Sequence, residues 1–285
     1  MTDIGTEPPI VVNVGSATDK GLRRALNEDS FLASGTLFLV ADGMGGHDAG
    51  EVASATVIEV YTRLASQPSI SLEEMQLAFT DAAERVRLLP EGRGAGAGTT
   101  LSGVAVAQVD EAAYWLMINL GDSRTYRLAE GQFEQISVDH SLVQERVERG
   151  ELTSEQATRD AQRNVVTRAI GAGSDSQPDY WYIPASAGDR LLVCSDGLTG
   201  ELTDDHIQQI LRDEVAPQAA ATRLVHESLL HGGRDNVTAV VVDAVSVAGH
   251  EVGSETLPHL PLPRESRRDD LNDTVPRSET HGATS

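Results

Sequence analysis

The sequence predicts an α+β domain in which antiparallel β-sheets stack on one another and are covered by helices. Short apolar runs rich in Val, Ile, Leu, Thr and aromatic residues alternate with longer helical stretches over residues 10–245. A tight turn at residues 129–131 joins the runs at 124–128 and 132–136, which indicates antiparallel pairing. The helical stretches fall in pairs between groups of strands, as expected when helices cover stacked sheets.

The individual elements follow from composition and from start signals. The strand candidates are residues 10–17, 37–41, 100–109, 113–120, 124–128, 180–184, 190–194 and 236–245. The helix candidates are residues 50–65, 72–88, 141–149, 204–214 and 218–230. Ser71 and Glu74 have the spacing of a capping box, which predicts that the second helix begins directly after Ser71.

Composition divides the chain into three parts. Residues 10–245 are expected to form one domain, because no stretch inside them has the composition of a linker. Residues 1–9 are polar and acidic and are expected to be flexible. Residues 246–285 are rich in Pro, Ser, Thr, Glu, Asp and Arg and carry no periodic apolar face, so a disordered tail is expected there.

The charge balance limits the partners of the protein. There are 22 Lys and Arg against 44 Asp and Glu, a formal net charge of −22, which argues against nucleic acid and anionic membranes as partners. Cys194, the single cysteine, lies in an apolar run and is expected to be a buried packing residue. No stretch approaches the roughly 18 apolar residues of a spanning helix. We expect a cytoplasmic monomer without membrane association.

Aspartates end several of the predicted strands. Asp42, Asp122 and Asp196 each follow an apolar run and precede a small residue, and Asp235 comes just before the last strand. One Asp-Gly pair alone is typical of a turn, but Asp42 and Asp196 lead into helices instead of partner strands. Carboxylates gathered at one edge repel one another unless a cation neutralises them, and oxygen ligands suit Mg²⁺ or Mn²⁺. The eight histidines show none of the spacings typical of zinc sites.

Six motifs in order carry a family resemblance. They are Arg24-Ala25-Leu26-Asn27-Glu28-Asp29, Ala41-Asp42-Gly43-Met44-Gly45-Gly46-His47, Gly98-Thr99-Thr100, Gly121-Asp122-Ser123-Arg124, Ser195-Asp196-Gly197-Leu198 and Asp235-Asn236-Val237-Thr238. Over residues 14–242 the series resembles the metal-dependent protein phosphatases of the 2C type, in their short bacterial serine/threonine form. The resemblance implies a four-layer α-β-β-α fold, a central antiparallel β-sandwich flanked by helix pairs.

The resemblance also implies a centre of two tightly bound Mn²⁺ or Mg²⁺ ions. It places Asp42 as the bridge between the ions, the Gly43 carbonyl on one of them, Asp196 and Asp235 on the other, and Glu28 and Asp29 on metal-bound waters. Asp122 is expected to join Asp196 in a weaker third site that Asn164 could complete. The alternative is that Asp122 caps a hairpin beside Ser123.

The implied reaction is hydrolysis of phosphoserine and phosphothreonine in proteins, opposing a serine/threonine kinase. A metal-activated water attacks phosphorus in line, so no covalent phosphoenzyme is needed. Arg24 is expected to grip the phosphate through its planar guanidinium, in preference to Arg23, because it stands three residues before Asn27. Met44 occupies the position where eukaryotic relatives have a histidine general acid. His47 could replace that acid or could simply begin a helix.

Two further segments and two other functions stay open. Residues 139–171 resemble a mobile flap beside the site, and the alternative is a charged surface helix pair. Thr256 and Thr274 lie in a repeated acidic-Thr-apolar-Pro pattern, so phosphorylation and capture by a phosphothreonine-binding domain is one hypothesis and chance composition the other. A small-molecule phosphoesterase and a non-catalytic phosphoprotein-binding scaffold are the alternative functions. The presence of Arg24 and of the aspartates disfavours the scaffold.

Overall fold

A computed structural model describes residues 7–45, 49–89, 96–157, 160–171 and 176–248. The strands are β1 (Ile10–Asp19), β2 (Asp29–Ser34), β3 (Leu37–Met44), β4 (Gly98–Thr99), β5 (Leu101–Val109), β6 (Ala112–Leu120), β7 (Arg124–Ala129), β8 (Gln132–Gln135), β9 (Asp179–Pro184), β10 (Arg190–Cys194) and β11 (Val237–Val247). The helices are α1 (Ala49–Thr62), α2 (Leu72–Arg87), α3 (Leu142–Glu148), α4 (Ser154–Ala157), α5 (Asp196–Thr199), α6 (Asp204–Asp213) and α7 (Pro217–His231).

The strands form two sheets whose neighbouring strands run antiparallel. In the first sheet the order is β1-β11-β10-β7-β8, and in the second it is β2-β3-β5-β6-β9, with β4 paired to the end of β3. The last long strand, β11, therefore lies between the first strand and β10. This order brings residues from both ends of the domain sequence into one sheet.

Three hydrophobic cores separate four layers, which confirms the predicted α-β-β-α architecture. Side chains alternate between the two faces of each strand, so neighbouring residues enter different cores. Phe38 and Val193 pack between the sheets, whereas Leu39 faces the helices α1 and α2. Leu192 faces α6 and α7 through contacts with residues such as Leu224.

The predicted elements agree closely with the observed ones. The Ser71–Glu74 capping box is present: the Ser71 side chain accepts from the Glu74 N–H, and the Glu74 carboxylate accepts from the Ser71 N–H at 2.8 Å. The helix predicted at 50–65 ends earlier, at Thr62. The strand β2 was not predicted, because Asp29, Ser30 and Ser34 interrupt its apolar pattern.

Further expectations from the sequence concern Cys194, the hydropathy of the helices and the predicted tail. Cys194 is buried, as predicted, and burial raises the pKa of its thiol. Within the described ranges no helix has the length and hydropathy needed to cross a membrane. His47, Thr256 and Thr274 lie outside the described residues, as do residues 249–285 of the predicted tail. The tail was predicted to begin at residue 246, but Ser246 and Val247 belong to β11, which pairs there with β1.

Candidate metal centre

The four predicted strand-end aspartates lie at one end of the sandwich, which we call the site end. Asp42 lies near the end of β3, Asp122 between β6 and β7, Asp196 at the start of α5 and Asp235 just before β11. Burial raises the pKa of Asp42 well above its usual range. The negative charges of Asp29 and of the other three aspartates lie close enough to raise this pKa further. The structure thus brings these strand ends together, and the metal-binding role of the aspartates stays a prediction.

The carboxylates at the site end oppose one another electrostatically. Burial is the main cause that raises the pKa of Asp122 and of Asp196, and each is raised further by a neighbouring aspartate. Burial also raises the pKa of Asp29 to about 7, against hydrogen bonds that lower it. Such a group is stabilised by a cation, and its oxygen donors suit a hard divalent ion.

The donor chemistry fits a metal centre, although the side chains do not form a finished coordination shell. One carboxylate oxygen of Asp29, Oδ1, is buried without a hydrogen-bond partner. A buried polar oxygen without a partner is costly, so this atom favours a nearby donor or cation. In the described part of the chain, no three His, Cys, Asp or Glu side chains are arranged closely enough to hold an ion.

Asp42 is fixed by the Gly98-Thr99-Thr100 motif. Its backbone N–H donates to Thr100 Oγ1 at 2.9 Å, and its carbonyl accepts from the Thr100 N–H at 2.9 Å and from Thr99 Oγ1 at 3.0 Å. Thr100 Oγ1 also lies 2.7 Å from the hydroxyl of Ser123, beside Asp122. The small hydroxyl residues of two motifs therefore hold the backbone on which two of the aspartates stand.

Gly43 is required because two backbones approach it closely. Its N–H donates to the carbonyl of Glu28 at 3.1 Å, and an added Cβ would collide with the carbonyl oxygens of Glu28 and Gly50. Any other residue would push β3 away from the start of α1. The close approach places Glu28 beside the site end, and its carboxylate lies against Gly50.

Asp29 joins the two sheets. It pairs with Asp42 across β2 and β3, and its Oδ2 accepts from the hydroxyls of Ser195 and Thr238 at 2.7 Å each. Ser195 and Thr238 belong to the first sheet or border it, whereas Asp29 belongs to the second. Asp29 thus has a direct structural role, and its predicted contact with a metal-bound water stays a prediction.

The side chain of Asn236, the residue after Asp235, makes three hydrogen bonds to backbone groups. Its Nδ2 donates to the carbonyls of Lys20 and Leu26 at 2.9 and 2.8 Å, and its Oδ1 accepts from the Glu28 N–H at 2.9 Å. One side chain therefore holds the segment between β1 and β2 against the start of β11. That segment carries Arg24.

Arg24, and not Arg23, lies beside the carboxylates. Its Nη2 donates to Asp235 Oδ2 at 2.7 Å, and its side chain stays 49% exposed. The hydrogen bond to Asp235 raises the pKa of Arg24, and the negative charges of Asp235, Glu28 and Asp42 raise it further. Arg23 is exposed and has no side-chain hydrogen bond or ion pair within the described residues.

The pair Glu201–Arg234 was not predicted from the sequence. Glu201 Oε1 accepts from the backbone N–H and from Nε of Arg234, and Oε2 accepts from Nη2, each at 2.9 Å. Glu201 follows α5, which begins at Asp196, and Arg234 precedes Asp235. The pair therefore fixes the spacing of two aspartates, but a lone glutamate in an acidic chain gives no signal of it.

The segment 139–171 is attached next to Asp122. The His140 N–H donates to the Gly121 carbonyl at 2.8 Å, and the Gly121 N–H donates to His140 Nδ1 at 3.2 Å. Asn164 is exposed, and no hydrogen bond between Asn164 and Asp122 occurs among the described residues. The Ser123 hydroxyl bonds to Thr100. The third metal site and the hairpin cap both stay open for Asp122.

The raised pKa of Asp29 predicts the pH dependence of stability in chelator-treated protein. Unfolded aspartate titrates near pH 4, and folded Asp29 near pH 7, so the folded state binds more protons between these values. Stability should therefore fall as pH rises through that window. We expect a higher unfolding temperature at pH 5 than at pH 7.5 in EDTA, with a smaller difference in Asp29→Asn. A metal-free stability that increases across this window would contradict the expectation.

Comparisons with known proteins show the family. The model of the family described as protein phosphatase 2C matches residues 22–231. The serine/threonine protein phosphatase PstP of Mycobacterium tuberculosis is 40% identical over 247 residues, which are 83% of this chain and 46% of PstP. This chain thus spans about half the length of that relative.

Solved structures agree with the family match. The crystal structure of the M. tuberculosis serine/threonine phosphatase PstP/Ppp matches with a TM-score of 0.77 and 36% identity, covering 82% of this chain and 99% of that one. The PstP catalytic domain in complex with two manganese ions matches with a TM-score of 0.75 and 36% identity, covering 83% and 100%. The four-layer sandwich with carboxylates at its site end agrees with this family match. The chain belongs to the protein phosphatase 2C family.

Proposed function

We propose that this chain is a Mn²⁺- or Mg²⁺-dependent phosphatase of phosphoserine and phosphothreonine in proteins. The observation that carries the proposal is the convergence of Asp42, Asp196 and Asp235 with Arg24 at the site end of a 2C-type fold. The proposal includes a cytoplasmic monomer that opposes a serine/threonine kinase. It is supported by the manganese-bound PstP catalytic domain, which has the same fold.

The residues at the site end have distinct roles in this proposal. Asp42, the Gly43 carbonyl, Asp196 and Asp235 would hold two metal ions, with Glu28 and Asp29 acting through water. Divalent ions at such a centre supply activation of water and neutralisation of phosphoryl charge. The carboxylates of this chain orient the water in line with the phosphorus–oxygen bond that breaks.

Arg24 binds the substrate phosphate. Its bond to Asp235 holds the guanidinium beside that carboxylate, and its exposed half leaves N–H donors accessible to a phosphate group. The raised pKa keeps the guanidinium charged. Met44 has no titratable group, so this side chain does not protonate the leaving serine or threonine oxygen.

The test is phosphate release from a phosphothreonine peptide with Mn²⁺, with Mg²⁺ and with EDTA. We expect release with either ion and none with EDTA, and little release from free nucleotides. Preference for nucleotides would instead establish a small-molecule phosphoesterase. Tight phosphopeptide binding without release under any metal condition would establish a binding scaffold.

A weaker third metal site at Asp122 forms a separate part of the proposal. In Asp122→Ala, titration with Mn²⁺ is expected to keep the two tight sites and to lose a low-affinity site, with a several-fold lower rate at saturating metal. Isothermal titration and aryl phosphate hydrolysis measure the two effects. An unchanged titration and rate would support the hairpin cap.

The proposal includes a partner for the predicted tail. Phosphorylated Thr256 or Thr274 would attract an arginine-lined phosphothreonine-binding domain and so tether the enzyme near its substrates. Mass spectrometry of the protein from its own cells tests this. Absence of phosphate on both threonines would remove this partner and leave the catalytic proposal unaffected.

A further inference from the structure

The segment between β1 and β2 differs in charge from the rest of the chain. Residues 20–26, which we call the basic loop, contain Lys20, Arg23 and Arg24 and no acidic residue. The whole chain has twice as many acidic as basic residues. The basic loop therefore forms a local exception to a surface that repels acidic polypeptides.

The side chains of the basic loop project into solvent. Leu22 is 66% exposed and Leu26 is 43% exposed. Lys20 and Arg23 are exposed, and neither side chain has an ion pair or hydrogen bond within the described ranges. A single exposed leucine needs no explanation, but two of them among three cations beside a candidate active site form a mixed apolar and cationic surface.

The backbone of the basic loop is fixed by hydrogen bonds, although the side chains of Lys20 and Arg23 are not. The Leu22 N–H donates to the Gly233 carbonyl at 2.7 Å, and Asn236 binds the carbonyls of Lys20 and Leu26. These bonds attach the loop to the segment that carries Asp235. Because its backbone is already held, the basic loop loses little backbone entropy when a partner binds.

We propose that the basic loop binds the polypeptide on either side of the phosphorylated residue and favours substrates with acidic and apolar flanking side chains. This proposal rests on the proposed function, because Arg24 must hold the phosphate. Leu22 and Leu26 each stand two residues from Arg24, a distance of at most about 7 Å along the chain. They can therefore contact side chains within a few positions of the phosphorylated residue, while Lys20 and Arg23 attract acidic ones.

The experiment compares variants that do not alter the proposed phosphate and metal residues. One double variant is Lys20→Ala with Arg23→Ala, and the other is Leu22→Ser with Leu26→Ser. The control is Arg212→Ala with Val215→Ser, which removes one side chain of each kind, an exposed cation and an exposed apolar residue. The control residues lie at the opposite end of the sandwich, where Arg212 donates to Gly131 and Arg190 donates to the Val215 carbonyl.

Three substrates separate the contributions: a phosphothreonine peptide with acidic and apolar flanks, the same peptide with lysine flanks, and an aryl phosphate. We expect each loop variant to lower kcat/KM for the first peptide about three- to ten-fold, through KM, and to leave aryl phosphate hydrolysis unchanged. The charge variant should also reduce the salt dependence of kcat/KM for that peptide. The control variant should behave as the parent, and thermal unfolding should confirm that every variant is folded.

The outcomes distinguish the two proposals. If the parent releases no phosphate from either peptide, the proposed protein phosphatase function is wrong. If the parent hydrolyses both peptides and the loop variants keep its preference and its salt dependence, the basic loop does not select substrates. An equal loss on the aryl phosphate would show that the loop acts on the active site itself and would also overturn this inference.

Discussion

Asp42→Asn is expected to lower kcat for an aryl phosphate at least about a thousandfold while the protein stays folded. Asn matches Asp in size and keeps the backbone bonds to Thr99 and Thr100, but it carries no charge. The proposed bridge between two ions would lose its anionic ligand. Removing one of several repelling carboxylates should also raise the unfolding temperature of chelator-treated protein.

The matched control for this prediction is Asp205→Asn, an exposed carboxylate in the first turn of α6. It changes the net charge by the same amount without altering the site end. Hydrolysis with saturating Mn²⁺, circular dichroism and thermal unfolding with EDTA should be measured for both variants. Turnover by Asp42→Asn close to that of Asp205→Asn would show that Asp42 holds no essential ion.

Arg24→Ala is expected to reduce kcat/KM about thirtyfold, because a charge-assisted hydrogen bond to phosphate contributes about 2 kcal/mol. The change should appear mainly in KM, and Mn²⁺ affinity should stay close to that of the parent. The reduction should occur with both an aryl phosphate and a phosphopeptide, since each carries the phosphate group that Arg24 binds.

Arg23→Ala is the control for Arg24→Ala, since it removes the same side chain one residue away. It should leave aryl phosphate hydrolysis unchanged. Arg24→Lys should recover part of the lost kcat/KM, because lysine restores the charge without the planar fork. A large loss in Arg23→Ala together with parent kinetics in Arg24→Ala would show that Arg23, and not Arg24, binds the phosphate.

Elements with a clear apolar period could be predicted from the sequence. The strand β10 was predicted at its observed bounds, because five apolar or amphipathic residues stand between turn signals. The strand β2 could not be predicted, since its first residue, Asp29, is a poor strand former. Asp29 is held in place by Ser195 and Thr238, which lie 166 and 209 residues away along the chain. Only the folded protein brings these partners together.

The candidate site likewise contains residues that could be predicted from the sequence and contacts that could not. The aspartates could be predicted to converge because each stands at the end of a strand, and strand ends share an edge. The contacts that orient them could not, because Asn236 and Glu201 bind backbone or side chains from distant segments. The Asp235-Asn236 motif located one of these residues without indicating its partners, and Glu201 stands in no motif. Local sequence patterns thus identify candidate metal ligands more readily than the residues that orient these ligands through hydrogen bonds.

The position of β11 inside its sheet, between β1 and β10, has a consequence for the growing chain on the ribosome. Arg24 and Glu28 emerge early, but Asn236, which fixes their segment, and β11, which joins β1 to β10, emerge about two hundred residues later. A nascent chain that ends before Asn236 therefore lacks both an interior strand of one sheet and the residue that holds the segment of Arg24. The proposed phosphatase activity should therefore begin only after nearly the whole domain has been synthesised.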